Sequence, residues 1–179
     1  YNSSVVPFAG QINGTDRCDK SYLAELADFC EKLGLDVIPE LEIPAHASAL
    51  WRIEPATRCV TDLTDPSPAC ICAGSEHTYE IFAALIDEVC EIFKGRYFHV
   101  GGDEIMFEDF PDWNYHCHYA VCKTCRERAE KEGFEPTVQN LYYYVMRRMH
   151  DMLAAKGKTM IMWNDEIDVS RPVPLPKDI

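Results

Sequence analysis

Three times along this chain a helical pattern runs into a glycine, then a short apolar segment, then a loop that opens with polar residues. From Asp19 to Leu33 the apolar positions Leu23, Leu26, Ala27 and Cys30 recur at helical spacing, and Gly34 ends the pattern. Leu35-Asp36-Val37-Ile38-Pro39 then reads as a strand. A second helix is predicted over about 77–94 (Ile81, Phe82, Leu85, Val89, Ile92), ending near Gly95 and feeding a strand from Tyr97 to Val100. A third, over about 136–156 (Val138, Leu141, Val145, Met149, Met152), ends near Gly157 and feeds Thr159 to Trp163. Helices alternating with nearly continuous apolar strands predict a parallel sheet covered by helices, an α/β fold. A long loop rich in Pro and Cys, roughly 44–76, lies between the first strand and the second helix.

The repeat also sorts the polar residues. Glu40 and His46 follow the first strand, Asp103 and Glu104 the second, and Asn164, Asp165 and Glu166 the third. Barrels and open α/β sheets both place active sites at the carboxyl ends of strands, so this pattern leaves the two architectures open. The middle segment, His99-Val100-Gly101-Gly102-Asp103-Glu104, is the most pointed. Successive side chains on a strand face opposite ways. A Gly-Gly break permits positive φ and lets both acids turn toward one ligand. Two carboxyls with separable pKa values are what acid/base work at a glycosidic bond requires.

Composition narrows the classes. The 179 residues suit one domain, and 47% hydrophobic content supplies a sizeable core. Thirty acids against 17 bases, a net charge of −13, argue against nucleic acid or an anionic membrane as partner. No apolar run reaches membrane-spanning length. Nine cysteines are many for this length. Cys30 and Cys90 fall in helical patterns as small core hydrophobes. Cys59, Cys70 and Cys72 share one loop, where a disulfide would suit an exported protein. His116, Cys117, His118, Cys122 and Cys125 crowd together, but a zinc signal needs a second ligand pair at a defined distance. A disulfide or reduced packing thiols is the expectation there, with no metal and no cofactor.

Three strand-end motifs together resemble glycoside hydrolase family 20, the β-N-acetylhexosaminidases. They are Pro39-Glu40-Leu41-Glu42-Ile43-Pro44-Ala45-His46, His99 to Glu104, and Trp163-Asn164-Asp165-Glu166. The family carries Pro-Glu-x-Asp-x-Pro-Gly-His, His-x-Gly-Gly-Asp-Glu and Trp-x-Glu elements in that order. The middle element matches in full and the others in part. Trp113 with Cys122-x-x-Cys125, followed by a helix, resembles the segment after the catalytic pair in many bacterial members.

The resemblance implies that residues 1–179 are a fragment of one catalytic domain, a partial (β/α)8 TIM barrel from about strand 3 to strand 5. It implies hydrolysis of terminal β-linked N-acetylhexosamine from a glycan or glycoconjugate, with the substrate's own acetamido oxygen as nucleophile. Glu104 would then be the general acid and base, with a pKa raised by burial and by its neighbour, and Asp103 would orient the acetamido group. His46 would sit beside the acid, Trp163 would wall the sugar pocket, and His99 would pack beneath the site, either supporting it or as a plain core histidine. Glu166 has two expected roles, contact with a sugar hydroxyl or, by preference, capping of the next helix.

Three departures stand out: Glu42 where the family has Asp, Ala45 where it has Gly, and one extra residue between Trp163 and Glu166. The added methylene at Glu42 moves a carboxylate by about 1 Å, which affects rate if that group buttresses the site. Ala45 fits only if its φ is negative. The extra residue lets Asp165 fill the acidic position instead of Glu166. Two other readings compete: a catalytically silent sugar-binding relative, and a Mg²⁺ enzyme using Glu40, Asp103 and Asp165 as oxygen ligands. An arc of three strands leaves open edges and bare apolar faces, so the fragment alone is expected to be inactive.

Overall fold

Three extended segments lie side by side in a computed structural model that describes residues 18–61, 70–105, 117–170 and 172–179. The central one is β1 (Tyr97–His99), paired in parallel with β2 (Thr159–Ile161) in the register Tyr97 to Thr159, Phe98 to Met160 and His99 to Ile161. On its other side β1 meets residues 39–43. The Leu41 amide donates to His99 O at 3.0 Å, the His99 amide to Pro39 O at 2.9 Å, and the Ile43 amide to Val100 O at 3.0 Å. Only Glu40 forms a bridge there, with His99.

The first strand is therefore displaced toward the carboxyl side of Leu35 to Pro39. With Glu40 opposite His99, a parallel register sets Ile38 opposite Tyr97 and leaves Leu35 beyond the start of β1. Leu35 and Ile38 are accordingly exposed.

The helices are α1 (Lys20–Lys32), α2 (Ser48–Ile53), α3 (Glu76–Ile92), α4 (Lys123–Glu132) and α5 (Val138–Ala154). The three expected from periodicity are α1, α3 and α5. Helix α5 lays Leu141, Tyr142, Val145, Met146, Met149 and Leu153 into the core against Phe98 and Met160 of the sheet. Helix α3 adds Phe82, Leu85, Ile86 and Val89. Each such side chain contributes about 1.5–3 kcal/mol when taken from water.

Helix α1 behaves differently. None of its residues is buried, and Phe29 and Leu33 are more than half exposed. An ion pair from Lys20 to the buried Glu88 joins it to α3. Cys30 and Cys90, expected in the core, are only half-buried.

Helix α2 lies inside the expected loop 44–76. Helix α4 buries only Cys125 and Ala129, too thin a stripe for periodicity to reveal. Its Arg128 and the Arg148 of α5 both pair with Glu76 in the first turn of α3, the latter at 3.0 Å. Glu76 is held below its usual carboxylate range, chiefly by the Arg148 hydrogen bond.

Candidate active site

Parallel pairing continues one step past β1 and then stops. The Val100 amide donates to Ile161 O at 2.9 Å and the Trp163 amide to Gly101 O at 2.8 Å. Gly101 and Gly102 then take φ of +68° and +97°, so the chain leaves the sheet in a conformation that side chains disfavour. Close approach adds a second requirement. A β-carbon on Gly101 would collide with the Glu42 carboxylate, and one on Gly102 would lie 3.3 Å from the Tyr142 hydroxyl. That hydroxyl donates to Gly102 O at 2.9 Å from the buried face of α5. A core helix thus pins the turn that aims the acids.

Asp103 and Glu104 both meet His46. Its Nε2 lies 3.5 Å from Asp103 Oδ2 and 3.3 Å from Glu104 Oε2. His46 and Glu104 each carry φ of +52°, a region that costs a side-chain-bearing residue about 1–2 kcal/mol. Ala45 is not among the positive-φ residues, so the condition on that departure is met.

The acids then divide by exposure. Asp103 is 25% exposed and its Oδ1 is buried with no hydrogen-bond partner among the described residues. The Glu104 carboxylate is 67% exposed. The burial expected to act on Glu104 is therefore not supplied by these elements. The Glu104 amide donates to Asp165 Oδ2 at 3.3 Å, so Asp165, and not Glu166, is the acid of the third motif that touches the pair.

Raised pKa values occur beside the pair. Glu42 is pushed up to about 7, first by burial and then by the Asp103 and Glu40 charges. Glu166 is pushed up to about 7 by burial and then by Asp165 and Asp103. Carboxyls crowd the strand ends with few cations to offset them. Among the described residues no helix follows β2, so the helix-capping role expected of Glu166 fails.

His99 sits beneath the turn, 13% exposed. Its Nδ1 is 2.8 Å from Glu40 Oε1 and 3.0 Å from the Gly101 amide. One ring nitrogen cannot accept from that amide and donate to Glu40 at once. The tautomer of His99 therefore decides whether Nδ1 bonds Glu40 or the Gly101 amide. The Trp163 ring leans on His99, with centroids 4.8 Å apart and an interplanar angle of 59°, and remains half exposed.

All six expected site residues, Glu42, His46, His99, Asp103, Glu104 and Trp163, therefore gather at one end of the sheet. Tyr142 was not singled out in the sequence, because helical periodicity does not show where a hydroxyl points. Among the described residues Glu40, Asp103 and Asp165 do not converge closely enough to share a metal ion, whereas Cys59, Cys72, Cys122 and Cys125 converge closely enough to be able to hold one. Trp113 and His116 lie outside the described residues.

Residues 13–179 match the description glycosyl hydrolase family 20, catalytic domain. A beta-hexosaminidase of Porphyromonas gingivalis is 26% identical over 155 residues, covering 83% of this chain and 19% of that protein. A lacto-N-biosidase of Bifidobacterium bifidum is 28% identical over 146 residues, covering 82% of this chain and 12% of the other. Among solved structures, the beta-N-acetylhexosaminidase from Bacteroides fragilis aligns with a TM-score of 0.74 at 26% identity, over 98% of this chain and 33% of that one. This chain spans less than a third of the length of the curated relatives it matches.

Proposed function

The chain belongs to glycosyl hydrolase family 20, and from that premise we propose that it supplies the acid pair of an enzyme removing terminal β-linked N-acetylhexosamine from glycans or glycoconjugates. The observation that carries this reading is the buried Asp103 Oδ1, which has no hydrogen-bond partner among the described residues, beside an open Glu104 carboxylate. A buried carboxylate oxygen without a donor is costly, and an incoming amide N–H would satisfy it. The acetamido group of the sugar brings such an N–H.

In this scheme Glu104 gives its proton to the glycosidic oxygen as the bond to the anomeric carbon breaks. The acetamido carbonyl oxygen attacks that carbon from the opposite face and forms an oxazolinium ring. Asp103 accepts the acetamido N–H and offsets the developing positive charge. Glu104, now a carboxylate, takes a proton from water as the water opens the ring, and configuration at the anomeric carbon is retained. His46, within 3.5 Å of both acids, holds their relative orientation, and Trp163 offers a flat face to the sugar ring.

The chain is read as one arc of a (β/α)8 barrel, about strands 3 to 5, within a single catalytic domain. Three parallel segments with site residues at their carboxyl ends support that placement, as do the bare apolar side chains of α1. In the full-length protein, Glu104→Gln should lower kcat on an N-acetylglucosaminide by about 10²–10⁴-fold. An unchanged rate would remove Glu104 from the chemistry. A parent protein that binds the sugar without hydrolysing it would instead favour the silent relative.

A further inference from the structure

Four of the nine cysteines, far apart in sequence, meet at one buried point. The sulfurs of Cys59, Cys72, Cys122 and Cys125 all lie within 4.8 Å of one another. Cys72 Sγ is 3.6 Å from Cys125 Sγ and 4.0 Å from Cys122 Sγ, and Cys59 Sγ is 3.7 Å from Cys125 Sγ. A tetrahedral zinc with Zn–S bonds of about 2.3 Å spaces its sulfurs about 3.8 Å apart. Cys125 stands nearly equidistant from Cys59 and Cys72, so the sulfurs do not sort into two pairs. The spacing leaves room for a single ion.

We propose that Cys59, Cys72, Cys122 and Cys125 form a tetrathiolate zinc centre that fastens the loop carrying His46 to the segment carrying Asp103 and Glu104.

The backbone is built for such a centre at both halves. Arg58 and Ile71 form an antiparallel bridge, and the Cys72 amide donates to Thr57 O at 2.6 Å. This small ribbon presents Cys59 and Cys72 together. Cys122 is the N-cap of the ten-residue α4 and Cys125 lies in its first turn. A helix N-terminus favours negative charge, and a C-x-x-C pair there brings two sulfurs to one side. Gly74 joins the halves: a β-carbon on it would collide with the Thr124 carbonyl and the Cys125 amide, so the loop backbone lies directly on the start of α4.

All four ligands are 3% exposed or less, which shields their sulfurs from oxidation and exchange. Tetrahedral S₄ sites take zinc or iron, and zinc suits a site whose task is to hold. One loop bears His46 early and two ligands later, while the segment from Val100 bears the acids early and Cys122 at its end. The ion would close both arms beyond the site. The proposal rests on sulfur geometry and stands whether or not the enzyme reading does.

The test uses the full-length protein made under reducing conditions and dialysed exhaustively, with metals measured by plasma mass spectrometry. About one zinc per chain is expected. Exchange with Co²⁺ should give intense d–d bands and thiolate-to-cobalt charge transfer. The double variant Cys122→Ser/Cys125→Ser should retain about tenfold less zinc or worse, whereas Cys30→Ser should retain it all. Because the double variant risks failing to fold, the parent's own zinc content and cobalt spectrum carry the decision. Parent protein with free thiols and far less than stoichiometric zinc would overturn the centre. So would a peptide map with these four cysteines in disulfides. Stoichiometric iron would overturn the assignment to zinc.

Discussion

The same two loops build two clusters that differ in nearly every physical respect. At the strand ends, carboxylates and two imidazoles crowd together, and Glu104 stands 67% exposed. Farther along the same segments, four sulfurs meet with 3% exposure or less. The first cluster is electrostatically unsettled, with Glu42 and Glu166 pushed up to about 7 and a buried Asp103 oxygen that has no hydrogen-bond partner among the described residues. The second is enclosed by close backbone contact. The proposed reaction site is partly open and carries two positive-φ side chains, whereas the proposed holding site is closed.

Substitutions can break this contrast, and the largest effect is expected at the acid end. Asp103→Asn in the full-length protein should lower kcat by about 10²–10³-fold with an unchanged melting temperature, measured by kinetics beside calorimetry. An equal loss of rate and stability would make Asp103 structural and erase the distinction. At the sulfur end, Gly74→Ala should cost about 1–3 kcal/mol of stability, since the added carbon meets backbone that cannot move cheaply. Chemical denaturation would read this, and a neutral result would mean the two halves are not tightly joined.

Glu42→Gln sharpens the comparison through pH. A carboxyl with a native pKa of about 7 against an ordinary 4.5 is neutral in both states at low pH. As pH rises from about 4.5 to 7 the unfolded chain releases its proton first, so native stability falls across that window and levels above it. Glutamine cannot ionise. The variant should match the parent near pH 4 and exceed it by about 1–2 kcal/mol above pH 7, after discounting for solvent screening. Parallel stability curves for the two proteins would show that Glu42 is not a source of strain. The smallest effect is expected for Tyr142→Phe. Loss of the hydroxyl bond to Gly102 O should cost about 1 kcal/mol and leave folding intact, with a modest fall in kcat as the glycine turn loosens.

Much of this contrast was legible in the sequence, unevenly. Helices α3 and α5 were readable because burial on one face imposes a 3.6-residue period, and α1 carries the same period although none of its residues is buried here. The acid end was readable because its residues are contiguous: His99 to Glu104 carries strand, turn and carboxyls in six positions. The displaced first strand was not, because Pro39 and the register against β1 set it, and register is a property of two segments at once. Helix α4 was hidden by its polar surface, with only Cys125 and Ala129 buried. The sulfur cluster was hidden by distance. Cys59 and Cys125 are 66 positions apart, and the expected zinc neighbours of Cys122 and Cys125 were the adjacent histidines, not the remote loop cysteines. Local chemistry was visible; convergence required the fold.

One measurement bears most directly on the division of labour at the acid end. The full-length parent and Glu104→Gln are compared on N-acetylglucosaminides with a series of leaving groups of rising pKa. If Glu104 donates the proton, the variant should lose little with an acidic leaving group and about 10²–10⁴-fold with an alkoxide-like one. A loss that is the same for every leaving group, or no loss at all, would contradict proton donation by Glu104.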